Sequence, residues 1–416
     1  RKEKVQNMKN FKKWFRKIMV PRQNKGENIY EKIDFLVNQE EPKKIVKDLI
    51  FASEYHLEQS FEILKYGRFF IPSNFEEDEF ILKRILWKLG FEIHNYPDKM
   101  PIFWKRLEEF ERYSKTSNLY SEFDREKIRS LGVNLFVSVE EIIECSLSFI
   151  TWLLLSDHFR GTKFKFNFQD ARDFMFVNLN EKCLIPGEPI EFDQSGKNTL
   201  FPLVQGFKLL ANLCTEVLNN QDSYNCTKKD LPDYHGNTEI ITFPFLHKSF
   251  IFDLNEREAS FIINLLEEIT NKINGSTLFK VRNGIDHKRP DEEFPSQSDI
   301  ESSCHILREI VQKLERSGLY PTIYLLYETK IDKDSRKLLL FKNYKDQEVS
   351  LYQPSQFIRC GLPLFEKALI IVPCIHIGKS SENIRFEYEE ISSYSRMWPD
   401  YPKKRKLNEG KTSIQV

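Results

Sequence analysis

A mainly α chain, built as a helical bundle with a helical region before it and a small β-rich (α+β) domain after it, is what three observations predict. Long segments with apolar residues at three-and-four spacing recur between residues 41 and 318, the signature of helices that each bury one face. After Gly318 the period changes to extended runs separated by turn-forming residues. Phenylalanine is abundant at 35 and glycine sparse at 15, which suits packed elements better than linkers. At 416 residues and 40% hydrophobic content the chain is long enough for two or three domains.

The elements divide the chain into five stretches. Residues 1–40 form a basic amphipathic segment, with ten Lys or Arg against one Glu in the first 25. There Met8, Phe11, Phe15, Ile18 and Met19 share one helical face. Such a helix suits a membrane surface, RNA or a partner, and equally a dock on its own domain. Residues 41–135 form a helical N-terminal domain that includes "MPIFWKRLEEFERYS". Residues 136–319 form the bundle, residues 320–396 the β-rich domain, and residues 397–416 a polar tail. The basic run Lys403–Lys406 in that tail suits a localisation signal, a phosphate contact or simple solvation.

Four long helices are expected in the bundle. The first, about 139–158, is announced by the capping-box pattern from Ser138 to Glu141, and its "IIECSLSFITWLLLS" is apolar nearly all round. Glu140, Glu141 and Glu144 then fall in its first turns, where carboxylates suit the helix dipole. An irregular stretch rich in Phe, Asn and Gly follows. The second helix spans 201–220 with Pro202 in its first turn. A β-hairpin, "TEIITFPFLHKSFIFD", leads into a third helix capped at Asn255 with Glu258 three residues on. The fourth opens at Ser298 with Glu301, carries Ile300, Cys304, Leu307, Val311 and Leu314 in one seam, and stops at Gly318. Beyond it, "PTIYLLYETK", "SRKLLLFKNY", "EVSLYQP", "ALIIVPCIHI" and "IRFEYEE" read as strands.

Composition excludes several classes. With 62 basic and 62 acidic residues, a polyanion site must be a local patch. Seven scattered cysteines without a CxxC suggest neither a disulfide framework nor a zinc site, and they fit a reduced, cytoplasmic protein. The apolar run at 146–156 is too short to span a bilayer. Histidines lack metal-ligand spacing, and no phosphate-loop or dinucleotide glycine pattern appears, so neither a metal nor a cofactor is expected. The start at Arg1 rather than methionine suggests a fragment or a processed product.

Chemistry concentrates in "KVRNGIDHKRPDEEF", residues 280–294, between the third and fourth bundle helices. Arg282 and His287 stand five positions apart with Asn283 beside the arginine. On a straight helix that spacing leaves the two side chains roughly 140° apart, so the chain must bend or end there. Gly284 supplies freedom and Pro290 an interruption. A neutral imidazole can take a ribose 2′-hydroxyl proton at cytoplasmic pH, and a guanidinium can hold the charged phosphate bidentately. Asn283 can orient the imidazole or bond the phosphate, while Lys288 and Arg289 add positive charge for RNA. In a plain charged turn, Arg282 and His287 would pair instead with Asp286, Asp291, Glu292 and Glu293. One of the three bundle glutamates could reach the cleft as an auxiliary acid.

Arg282-Asn283-Gly-Ile-Asp-His287, in a helical bundle just before its last long helix, resembles the R-x4-6-H signature of HEPN ribonucleases. The resemblance covers about 136–318. It implies a HEPN-like bundle and metal-independent endoribonuclease activity that leaves 2′,3′-cyclic phosphate ends. Arg282, His287 and Asn283 would be catalytic, and two motifs would face each other across a homodimer. The resemblance further implies a toxin or antiphage effector, with an antitoxin, sensor or other defence-system subunit as partner. The alternative is a non-catalytic HEPN-like binding or dimerisation subunit of a nucleic-acid-associated assembly.

Overall fold

The computed structural model describes residues 98–158, 165–180, 182–185, 188–193, 196–223, 247–286, 294–353, 368–376 and 383–388. All of these fall in one compact unit. Among them are seven α-helices: α1 (Met100–Thr116), α2 (Glu122–Leu155), α3 (Phe168–Leu179), α4 (Leu200–Asn219), α5 (Glu256–Asn274), α6 (Leu278–Asp286) and α7 (Gln297–Ser317). The basic segment at 1–40, the helical region 41–97 and the tail lie outside the described residues.

The longest helix, α2, organises the rest. Every residue from Ile142 to Leu155 is buried, because a segment apolar on all sides has no face to give to water. Helices α1, α3, α4 and α6 pack around it. It does not begin at residue 139. Ser121 accepts a hydrogen bond from the Asp124 amide and caps a helix that runs straight through the 138–141 pattern. Nothing before Ser138 breaks a helix, so the capping-box spelling there has no free amides to satisfy. Ser138 is instead buried and accepts from the Arg106 guanidinium.

Other boundaries follow the local chemistry closely. Helix α4 starts one residue early, at Leu200. Asn255 and Glu258 form the expected capping box for α5. Helix α7 is capped by Ser296, two residues before Ser298, since the Ser296 hydroxyl reaches the Asp299 amide. Its seam of Ile300, Cys304, Leu307, Val311 and Leu314 is buried, and Gly318 ends it in the left-handed region at φ 71°. The stretch expected to be irregular contains α3, capped by Asn167 through the Asp170 amide. Of the expected hairpin at 238–253, residues 238–246 lie outside the described residues, and Phe250–Phe252 form a turn of 3-10 helix instead.

The strands are β1 (Lys165–Phe166), β2 (Lys182–Ile185), β3 (Glu188–Ile190), β4 (Ile323–Ile331), β5 (Lys337–Lys342), β6 (Glu348–Tyr352), β7 (Ala368–His376) and β8 (Asn383–Tyr388). The main sheet has the order β1-β8-β7-β4-β5-β6, with β1 parallel to β8 and the other pairs antiparallel. Strands β2 and β3 form a separate antiparallel pair. One continuous core holds residues of α1, the bundle and β7–β8 together. No helix among the described residues is long and apolar enough to cross a membrane.

An aromatic cluster joins sheet to bundle. Trp152 of α2 meets Phe166 of β1 and Phe386 of β8 edge-on, with ring centroids 5.2 and 5.0 Å apart. His158 stacks on Phe250 at 4.2 Å, and its Nε2 donates to the Leu153 carbonyl at 2.8 Å. Burial holds that imidazole neutral and pushes its pKa down to about 4, although the Leu153 carbonyl opposes the shift. The unfolded chain takes up this proton near pH 6.5, the folded chain only near 4, so stability is lost as pH falls between them. The difference is about 3 kcal/mol between pH 7 and pH 4. Urea denaturation at the two pH values is expected to show that His158→Phe loses this much less stability on acidification than the wild type. Parallel losses in both proteins would refute the assignment.

Candidate functional site

The arginine of the motif sits on α6, a short helix held against α2 by a close approach. A Cβ at Gly132 of α2 would lie 2.8 Å from Ile285 Cγ2, so only glycine lets α6 settle there. Val281, Gly284 and Ile285 face inward, which turns Arg282, Asn283 and Asp286 towards the rim. Gly284 is therefore a buried helical residue rather than a hinge. The described part of α6 runs to Asp286, and the expected helix end before the histidine lies outside the described residues. His287, Lys288 and Arg289 lie outside the described residues, as do Asp291, Glu292 and Glu293.

Three groups engage the guanidinium. Nη2 donates to Glu140 Oε1 at 3.2 Å, and Nη1 reaches Asn283 Oδ1 at 3.5 Å. Nε lies 3.2 Å from Asp286 Oδ2, yet the angle makes no hydrogen bond and leaves that buried donor unused. Asn283 thus leans on the arginine. Four residues apart on one helix, Arg282 and Asp286 pair as residues of an α-helix face do.

Glu140 is the residue whose place the sequence misassigns. It stands in the middle of α2, not in a first turn, because the helix starts far upstream at Glu122. Its Oε1 also accepts from the Leu200 amide at 3.1 Å. Thr199 gives α4 no side-chain cap, so Glu140 serves that helix as a cap from another element. Burial raises the Glu140 pKa above the usual carboxylate range, and Arg282 pulls against that shift. One turn further on, Glu144 is also raised by burial and accepts from Asn198 Nδ2 at 2.7 Å. Glu141 points elsewhere and pairs with Lys99 Nζ at 2.8 Å.

Two aromatic residues beside this contact are missed by the sequence reading. Phe201, in the first turn of α4, is 56% exposed, and its ring lies 5.9 Å from that of Phe279 on α6. Phe201 follows Leu200, whose amide Glu140 accepts, and Phe279 lies about one turn before Arg282. An exposed aromatic at a helix start is the one signal that could have found Phe201, since Phe at such a position buries little. Val133 and Val137 of α2 are also exposed, on the stripe that leads one turn later to Glu140. No group of three or more His, Cys, Asp or Glu among the described residues could hold a metal ion.

Comparison with protein-family models, with curated proteins and with solved structures finds no match.

The contact between Glu140 and Arg282 is measurable. Replacing either partner alone strands the other at a half-buried position, whereas replacing both removes the conflict. Urea denaturation of Glu140→Gln, Arg282→Met and the double variant is expected to give a coupling energy of about 1 kcal/mol. Strict additivity would mean that the pair does not form in solution.

Proposed function

We propose that this chain is a metal-independent endoribonuclease of HEPN type, with Arg282 and His287 as its catalytic pair. The observation that carries the reading is the position of Arg282. It stands at the rim of the bundle in the last described turn of α6, five positions before His287 in the sequence. Asn283 steadies the guanidinium, and the exposed Phe201 nearby offers a surface on which an unstacked base can rest.

In this reading the His287 imidazole removes the proton from a ribose 2′-hydroxyl. The 2′-oxygen attacks the adjacent phosphorus, the bond to the 5′-oxygen breaks, and that oxygen leaves with a proton taken from water. A 2′,3′-cyclic phosphate remains. The phosphorane gains negative charge on its way, and Arg282 stabilises that charge more strongly than the ground state. To do so it must exchange Glu140 and Asp286 for phosphate oxygens. Lys288 and Arg289 would add attraction for the RNA backbone.

A second copy of the chain completes the proposal. Val133 and Val137 lie on the α2 stripe next to Glu140, and burying them against their counterparts would bring two Arg282 side chains to one cleft. A cytoplasmic setting, as a toxin or antiphage effector with an antitoxin, sensor or other defence-system subunit, belongs to the same proposal.

A second reading has its own support. Arg282 already faces two carboxylates, as a guanidinium with a purely structural task would. The chain would then be a non-catalytic binding or dimerisation subunit of a nucleic-acid-associated assembly. Incubation with total RNA in EDTA separates the two. Wild type is expected to cleave and to leave cyclic phosphate ends, while Arg282→Ala and His287→Ala lose about a hundredfold or more in rate. Cleavage that survives both substitutions, that needs a divalent metal, or that never appears favours the binding subunit.

A further inference from the structure

The main sheet ends at β6, whose outer edge pairs with no strand among the described residues. Gln353 donates its N–H to the Lys337 carbonyl at 2.9 Å, and Leu351 and Val349 stand opposite Leu339 and Phe341 of β5. Backbone direction alternates along a strand, so Val349, Leu351 and Gln353 bond inward to β5. Glu348, Ser350 and Tyr352 then hold their N–H and C=O groups out from the sheet. The side chains of those outward residues are exposed, while Leu351 is buried on the opposite face.

A bulge, a proline or an inward-pointing charge usually defends an open edge against pairing with another chain. None of them stands between Glu348 and Tyr352. The register with β5 runs through five pairs without a shift, whereas β4 and β5 slip between Leu326 and Glu328. Val349 and Leu351, the residues that point inward, are apolar and pack with Leu339 and Phe341. The one charge on the strand, Glu348, is paired with Lys342 Nζ at 3.0 Å. Flat, regular and rich in strand-forming residues, this edge is built to be extended.

We propose that β6 pairs with the β6 of a second copy of this chain, antiparallel about a two-fold axis through Ser350, so that two six-stranded sheets become one. In that register Ser350 lies opposite the partner's Ser350, and Glu348 opposite the partner's Tyr352. The outward N–H and C=O groups of Glu348, Ser350 and Tyr352 all find partners, and no charge faces its like. The Arg336 guanidinium lies over the Tyr352 ring, 4.6 Å from its centroid. Each Glu348 therefore comes to rest beside a ring that carries a cation, twice over by symmetry. Arg336 already meets Asp332 and Asp334, but its side chain is 56% exposed, which leaves room for a further carboxylate. A strand from another protein would find the same amides without this matched charge, which favours a second copy. The edge shares no residue with the Arg282 site or with the Val133–Val137 stripe, so it stands or falls apart from the nuclease reading.

Trapping and sedimentation of the full chain test this, both in a Val137→Asp background that removes any pairing through α2 and leaves β6 untouched. In Ser350→Cys the two thiols would face each other across the axis at a Cα separation of about 5.5 Å, within disulfide range. Mild oxidation is expected to convert most of that variant to covalent dimer, and Thr329→Cys, exposed elsewhere on the sheet, no more than its parent. Ser350→Pro removes an outward N–H without touching the ladder to β5 and is expected to weaken self-association at least about tenfold, with the circular dichroism unchanged. Arg336→Ala is expected to weaken it severalfold. A monomer in the Val137→Asp background would leave the edge to an extended segment of a different protein and overturn the proposal. So would cross-linking of Ser350→Cys no greater than that of Thr329→Cys, or association that Ser350→Pro does not change.

Discussion

The burial of α2 from Ile142 to Leu155 is the constraint on which the remaining structure depends. A helix without a wet face must be enclosed on every side, and no single neighbour can do it. Bundle helices cover part of the circumference, and the aromatic cluster led by Trp152 and Phe166 brings the sheet against another part. The sheet is therefore no separate appendage in its packing. Ile370, Val372 and Phe386 belong to the same core as Phe149 of α2 and Phe207 of α4.

The candidate catalytic region lies where that enclosure begins. N-terminal to Ile142, α2 is only partly covered, and Glu140 stands at the margin between wet and dry. A carboxylate placed there is costly enough to need partners and accessible enough to lose them. Its two partners, the Arg282 guanidinium and the first amide of α4, come from elements that otherwise touch α2 through apolar side chains. One acidic residue thus sets both the start of α4 and the resting place of the arginine.

Much of this is legible in the residues alone, and the failures have definite causes. The seam of α7, the capping box at Asn255, the glycine stop at Gly318 and the strands after it rest on short-range chemistry, and each appears where the pattern puts it. The start of α2 is misread because a capping-box spelling is informative only beside a helix end, and Ser138 has helical residues on both sides. Helix α3 is missed because its faces are both buried, which erases the amphipathic period. The approach of Glu140 to Arg282 spans 142 residues, so no local pattern encodes it, though Glu140 is among the acids that the sequence singles out. His287 lies outside the described residues, and the pairing of Arg282 with Asp286 is the charged-turn arrangement that the same segment allows.

The parallel ladder of Lys165–Phe166 with Glu387–Tyr388 joins segments more than two hundred residues apart. During synthesis, the ring of Phe166 emerges long before the strand that will lie beside it. Until Phe386 and Tyr388 arrive, the aromatic surface around Trp152 has no roof, and the nascent bundle carries an oily window. Such late closure raises the contact order of an otherwise helical protein and delays its completion until β8 has been made. Loss of that strand would therefore be felt in the middle of the bundle, not only at the edge of the sheet.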